Sequence, residues 1–219
     1  MRKGSGRNAD PLVVEEKKRR IRDPHVKALN DLADRIADEE GLPHGYVPYV
    51  DPDQGGVEAR MLVMLDNPST KAKAGTGSGL LSLDNDDPTA RNLREAYARY
   101  GVDWKDVVPW NAVPFPIAGV NKRGSTKAER QRAAPWTRAV VELLPNLEIV
   151  LLLGDAARDG WKRAAINPPD VYVVPGRVPH PSPLALNREP GRRATFDESL
   201  EKVAQLLRGP HLSGPDRLE

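Results

Sequence analysis

Four short runs of apolar residues constrain the fold of this sequence more than any other feature. They lie at 61–65, 107–110, 149–153 and 171–174. An uninterrupted short apolar run is typical of a strand that is buried on both faces. Predicted helices accompany these runs at 26–40, 88–100, 127–143, 155–165 and 195–208. Strands that alternate with helices predict an α/β protein with three layers, α/β/α, around a central, mostly parallel four-stranded sheet.

The predicted strands and helices all fall within one continuous part of the chain. The length of 219 residues fits a single domain, and we expect residues 25–210 to form one α/β domain. Residues 1–24 carry eight basic side chains against four acidic ones and contain several glycines and prolines. We therefore predict a basic, flexible arm at 1–24 and a C-terminal tail at 211–219.

Several classes of protein are excluded by composition. The chain has no cysteine, which excludes disulfides, cysteine-ligated zinc and iron–sulfur clusters. Its four histidines do not show the spacing of metal ligands, so we expect neither a metal nor a cofactor. No apolar run approaches the ~18 residues of a membrane span, and the first residues lack the apolar core of a signal peptide. We expect a cytoplasmic protein with no membrane partner.

The positions of the basic residues are more informative about nucleic-acid binding than the net charge is. A net charge of +2 is too small to indicate nucleic-acid binding by itself. Besides the arm, a second basic group surrounds a proline-rich loop, and it consists of Arg177, Arg188, Arg192 and Arg193. Such clusters either form a solvated surface or contact the phosphates of a nucleic acid.

Polar residues follow the predicted strands where each strand ends. Asp66 and Asn67 follow the first run, Asn111 follows the second, and His180 lies in the loop after the last. Ligands of open α/β sheets bind at the carboxyl ends of the strands. We therefore expect two amides, a carboxylate and an imidazole from distant parts of the sequence to converge on one site.

Three of these segments resemble motifs of the uracil-DNA glycosylase superfamily. They are Asn-Pro at 67–68, Asn-Ala-Val at 111–113 and His-Pro-Ser-Pro-Leu at 180–184, in the order that the family has. The first motif is most similar to the mismatch-specific uracil/thymine branch, and the third to the main uracil-excising branch. The resemblance covers about residues 60–208.

This resemblance implies a DNA glycosylase that hydrolyses the N-glycosidic bond of a flipped uracil or modified pyrimidine and leaves an abasic site. No lysine is well placed for Schiff-base strand cleavage, so we expect a monofunctional enzyme. Its partner is double- or single-stranded DNA, and we expect it to act as a monomer.

The resemblance also assigns roles to individual residues. His180 donates a hydrogen bond to the base carbonyl on which charge develops, although a histidine here can also simply cap its loop. Asn111 reads the Watson–Crick edge with its NH₂ and C=O groups. The water is positioned by Asn67, which matches the mismatch-specific branch by position, or by its neighbour Asp66, which is the stronger base. We favour Asn67.

The remaining assignments concern the base pocket and the DNA. Leu184 is the candidate wedge that fills the vacated base stack, with ordinary packing as the alternative. Further residues are expected to line the base pocket (Leu80, Leu81 and Ser69) or to contact DNA (Ser182, Arg188 and Arg177).

Two departures from the family pattern put strict uracil specificity in doubt. Ser69 replaces the tyrosine that rejects 5-substituted pyrimidines, and only Leu80 and Leu81 are found where an aromatic residue normally stacks on the base. A roomier pocket would suit a bulky modified base, such as a hydroxymethylcytosine derivative of phage DNA in anti-phage defence. A catalytically silent DNA-binding protein of the same fold is the other alternative.

Overall fold

The computed structural model describes residues 6–69, 71–73, 75–117 and 124–209. Its strands are short, and in the main sheet their ends lie within one residue of those of the apolar runs. In chain order they are β1 (Tyr49–Val50), β2 (Met61–Leu65), β3 (Leu80–Leu81), β4 (Val107–Asn111), β5 (Ile149–Leu152) and β6 (Tyr172–Val173).

A four-stranded parallel sheet in the order β4-β2-β5-β6 forms the centre of the molecule. β1 and β3 form a separate parallel pair. The chain runs from β2 outward to β4 and then crosses back over β2 to reach β5. Strand order therefore reverses beside β2, and such a switch point is where open α/β sheets bind their ligands.

Helices cover both faces of this sheet. Their bounds are α1 (Pro11–Arg19), α2 (Pro24–Glu39), α3 (Pro88–Tyr100), α4 (Lys127–Glu142), α5 (Asp155–Ala164), α6 (Pro183–Leu186) and α7 (Arg192–Arg208). One apolar cluster joins α2, α4 and α5 to one face, and a second joins α3 and α7 to the other. The predicted three-layer α/β/α fold is confirmed. Of the described helices, none combines the length and apolar character needed to cross a bilayer.

Alternating side chains of the strands explain the two clusters. In β2, Leu62 and Met64 belong to the cluster with α2, α4 and α5, whereas Met61 and Val63 belong to the cluster with α3 and α7. Successive side chains of a strand point to opposite faces, and all four are at most 1% exposed. An uninterrupted apolar run was thus the signature of a strand covered on both sides.

The N-terminal segment differs from its prediction. We expected a flexible arm at 1–24, but residues 6–24 contain α1 and the start of α2. The side chain of Lys17 in α1 is 0% exposed and its ammonium bonds Asp51 at 2.7 Å and Asp84 at 2.8 Å. These two aspartates follow β1 and β3, so α1 is fixed to the pair of short strands. Residues 1–5 and the predicted tail at 211–219 lie outside the described residues.

Candidate functional site

A cavity of about 650 Å³ opens at the carboxyl ends of β2, β4 and β5. Its walls come from the loops that follow these strands, from the start of α3 and from the loop after β6. Eight of the eleven predicted site residues line it: Asp66, Asn67, Ser69, Leu81, Asn111, His180, Ser182 and Arg188. The expected convergence of strand-end residues from distant parts of the chain is therefore present.

Three predicted site residues do not line this cavity. Leu80 is 0% exposed and packs inside the protein as part of β3, so its predicted place in a base pocket is wrong. Leu184 is 83% exposed and projects from α6. Arg177 pairs with Asp155 at 3.0 Å, and because Asp155 lines the cavity, this arginine lies beside its rim.

The imidazole of His180 is oriented by its own loop. The backbone N–H of Ser182 donates to His180 Nδ1 at 3.1 Å. Because Nδ1 accepts this bond, the proton of the neutral ring is on Nε2. Burial lowers the pKa of His180, and the carboxylates of Asp66 and Asp87 oppose that shift without reversing it. At neutral pH the side chain is thus an uncharged N–H donor.

Two neighbouring elements hold the His180 loop in place. The amide of Asn92 in α3 donates to the carbonyl of Pro181 at 2.6 Å. On the other side, Gly154 approaches so closely that a Cβ there would lie 3.3 Å from His180 Cβ. Gly154 has a φ of +96°, which also favours glycine. The position of the imidazole is therefore set by α3 and by the end of β5.

The side chain of Asn111 is available for a ligand. It lies opposite Leu65 in the register of β4 and β2 and is 4% exposed. Among the described residues, no group forms a hydrogen bond with its amide. A buried amide at the cavity wall normally finds a partner, and here both its donor and its acceptor remain for a bound molecule.

Asp66 and Asn67 are held very differently. Among the described residues, the Asn67 amide donates only to the carbonyl of the adjacent Pro68, at 3.3 Å. The carboxylate of Asp66 accepts the backbone N–H of Ser125 at 3.1 Å and also its hydroxyl. Backbone bonds from β4 continue past the strand ends, and Val113 N donates to Asp66 O at 2.9 Å. Asp66 is therefore fixed at both its backbone and its side chain.

Two residues of the site were missed by the sequence reasoning. Asp87, which directly precedes the predicted helix at 88–100, caps Thr89 and Ala90 and also lines the cavity near His180. Ser125 binds Asp66 from 59 residues away, and the only local signal was the Thr126 cap of the helix that follows it.

The cavity wall is acidic as well as amide-rich. Among the described lining residues, Asp66, Asp87 and Asp155 are acidic and Arg188 is the one arginine. Within the four described ranges, no three acidic or histidine side chains are arranged to hold a metal ion. The chemistry that this wall can supply is proton acceptance and hydrogen bonding.

Comparison with known proteins adds no relative: no protein-family model matches the chain, and neither does any curated protein. The resemblance to the uracil-DNA glycosylases accordingly stays a prediction that rests on the three motifs.

Proposed function

We propose that this chain is a monofunctional DNA glycosylase that excises a flipped pyrimidine. The observation that carries the proposal is the meeting of His180, Asn111 and the Asp66–Asn67 pair around one cavity. Asn111 ends β4, and the other residues come from the loops after β2 and β6. Each offers a group that hydrolysis of an N-glycosidic bond needs.

The reaction needs two opposite charges to be stabilised. As the bond to the sugar breaks, negative charge develops on the departing base and positive charge on the sugar. His180 Nε2–H is a neutral donor for the base carbonyl, and fixed donors of this kind are worth most in a site that excludes water. The carboxylate of Asp66 favours positive charge on the sugar and, with Asn67, is available to orient the attacking water.

Recognition of the base falls to Asn111. Its amide has one hydrogen-bonding donor group and one acceptor side by side, which matches the paired donor and acceptor on the edge of uracil. Neither is used by a described protein group. The amide can present either order of groups, so this residue suits both uracil-like and cytosine-like edges.

The size of the cavity supports a substituted base. About 650 Å³ lies in the range of pockets that bind drug-sized ligands, roughly 300–1,000 Å³. Ser69 is exposed at this wall. By the resemblance, this small side chain stands where a tyrosine rejects 5-substituted pyrimidines. A modified pyrimidine, such as a hydroxymethylcytosine derivative, is therefore as well supported as uracil.

The proposal is tested by incubating the protein with a panel of labelled oligonucleotides, single-stranded and duplex. The panel carries uracil, thymine mismatches, hypoxanthine and 5-substituted cytosines. We expect an abasic site, revealed by alkali, with at least one pyrimidine and no strand cleavage before alkali is added. DNA retention without base release from any member of the panel would contradict the enzyme and favour a DNA-binding protein of the same fold.

A further inference from the structure

A chain of polar contacts leads from the cavity to the outer helices. Ser125 donates its backbone N–H and its hydroxyl to the carboxylate of Asp66. Arg130 in α4 in turn donates to Ser125, through Nη1 to the carbonyl at 2.5 Å and to Oγ at 2.8 Å. Arg130 is 9% exposed, so these contacts form inside the protein.

The direction of the hydroxyl bond follows from what each group can do. A guanidinium has only donors, so Ser125 Oγ must accept from Arg130. The hydroxyl has a single proton, and that proton therefore points to Asp66 Oδ1. Arg130 thus determines how Ser125 holds the carboxylate.

The far end of the contact chain is also anchored. Arg130 Nε donates to Asp159 at 2.6 Å, and Arg163 Nε donates to the same carboxylate oxygen at 2.7 Å. Bonds from Arg163 and Arg130 lower the pKa of Asp159 to about 2 against the opposing effect of burial. Asp159 therefore stays charged over the working range of pH and keeps Arg130 in place.

The described residues leave one acceptor position of the Asp66 carboxylate unused. A carboxylate has about four acceptor positions. Oδ1 accepts the hydroxyl and shares the N–H of Ser125, while within the described ranges Oδ2 accepts only that N–H, at 3.1 Å. Gly124, which lines the cavity, borders Oδ2 so closely that a Cβ there would lie 2.7 Å from it. A side chain at this position would crowd Oδ2, so the glycine keeps that side of the carboxylate clear of a Cβ.

We propose that Ser125 and Arg130 are positioning residues that aim Asp66 Oδ2 at the attacking water. The inference rests on the proposed glycosylase function and assigns the water to Asp66, whereas the sequence favoured Asn67. The water oxygen forms the new bond to C1′ and passes its proton to Oδ2. The electron pair of the breaking C–N bond leaves with the base, whose carbonyl is held by His180.

The experiment measures single-turnover excision rates and DNA dissociation constants for Arg130→Gln, Arg130→Lys, Ser125→Ala and Asp66→Asn. Asp66→Asn is expected to slow excision about 100-fold, as for loss of a general base. Arg130→Gln and Ser125→Ala are expected to slow it about 10-fold, because misplaced reacting groups lose rate steeply. Their DNA dissociation constants should stay within about 2-fold of the wild type, and Arg130→Lys should recover part of the rate.

The matched control is Arg163→Gln, which removes a bond to the same Asp159 oxygen but makes no contact with Ser125 among the described residues. The decisive readout is a double-mutant cycle, since Arg130→Gln should have almost no further effect once Asp66 is Asn. A full additional loss in that background, or equal losses in Arg130→Gln and Arg163→Gln, would overturn the inference and leave the proposed function intact. Wild-type protein that releases no base from any oligonucleotide would overturn both.

Discussion

His180 brings two requirements of a neutral donor together in one side chain. Its Nδ1 is occupied by the N–H of Ser182, and burial keeps its pKa below the ordinary histidine value. Without the bond to Nδ1 the ring would be free to rotate, and without burial it would become charged at a higher pH. Together they determine both the charge of the ring and the nitrogen that carries its proton.

Replacing this donor should remove most of the activity. We expect His180→Ala to lower the single-turnover excision rate by about 10²–10³-fold, which is the usual cost of losing one hydrogen bond to a developing anion. The rate is measured on the best substrate of the oligonucleotide panel. An unchanged thermal unfolding curve would show that folding is intact, and an unchanged rate would contradict the role of His180.

The lowered pKa of His180 also makes stability depend on pH. The unfolded chain binds a proton at this residue near pH 6.5, whereas the folded protein resists protonation until the pH is lower. The contribution of neutral His180 to stability is complete above about pH 6.5 and falls as the pH decreases.

Urea unfolding of the wild type and His180→Gln at several pH values tests this linkage. The free energy of unfolding of the wild type, relative to that of the variant, should decrease between about pH 7 and pH 5. The difference between the two proteins should be constant above pH 7. If the wild type instead became more stable relative to His180→Gln as the pH decreases, the predicted direction of the pH dependence would be wrong.

At the scale of elements, the end of the loop after β6 is built to project one apolar side chain. Ser182 caps α6 by accepting the N–H of Ala185, and Pro183 begins the helix. Leu186 at its end is 2% exposed, whereas Leu184 is 83% exposed. A short helix anchored at one residue thus holds the other in solvent, which is the arrangement that insertion into a base stack requires.

Removing that side chain should affect duplex DNA selectively. We expect Leu184→Ala to slow excision from duplex DNA by about 10-fold, since a wedge offsets part of the few kcal/mol that unstacking a base step costs. On single strands the loss should be at most about 2-fold, because no duplex stack has to be opened. Leu12→Ala, which truncates a leucine that is 77% exposed in α1, is the matched control. Equal losses on both substrates would contradict the wedge.

The elements that were predicted correctly have signals within their own sequence. β2 is an unbroken apolar run, and α3 begins at an aspartate cap followed by proline and ends at Gly101. The elements that were missed depend on distant partners. β1 and β3 have two residues each and pair across 31 positions, and α1 is anchored through Lys17 and the aspartates that it binds. A charged residue with no apolar periodicity around it predicts an exposed helix or arm.

The same distinction separates the predicted from the missed parts of the site. Asp66, Asn111 and His180 follow strand ends, so topology alone predicted that they would meet. The contact of Ser125 with Asp66 joins residues that lie 59 positions apart, and no local sequence pattern indicates it. Leu80 was misplaced because a two-residue strand turns one leucine into the core and the next toward the cavity.

At the scale of the whole molecule, the buried ion cluster of Lys17 links the N-terminal helix to the cavity wall. Asp84 lies between Leu83 and Asn85, both of which line the cavity. Asp51 also accepts the hydroxyl of Ser82, another lining residue. The aspartates outweigh the opposing effect of burial, and the pKa of Lys17 is raised above its ordinary value.

Removing the ammonium should destabilise the protein strongly. We expect Lys17→Met to lower the free energy of unfolding by about 3–5 kcal/mol, because it leaves carboxylates buried without a counter-charge. Lys18→Met, a change to the exposed neighbouring side chain, should alter stability by less than about 0.5 kcal/mol. Chemical unfolding of the two variants measures the difference, and similar values for both would contradict a stabilising role of the Lys17 ion cluster.

The position of β2 between β4 and β5 has a consequence for synthesis on the ribosome. Of the four strands of the main sheet β2 is made first, yet both of its edges pair with strands that are made later, the second about 85 residues further along. During that interval an apolar segment exposes two unsatisfied backbone edges, which are templates for association with other chains. Slow translation between residues 66 and 149 should therefore favour aggregation of the nascent protein.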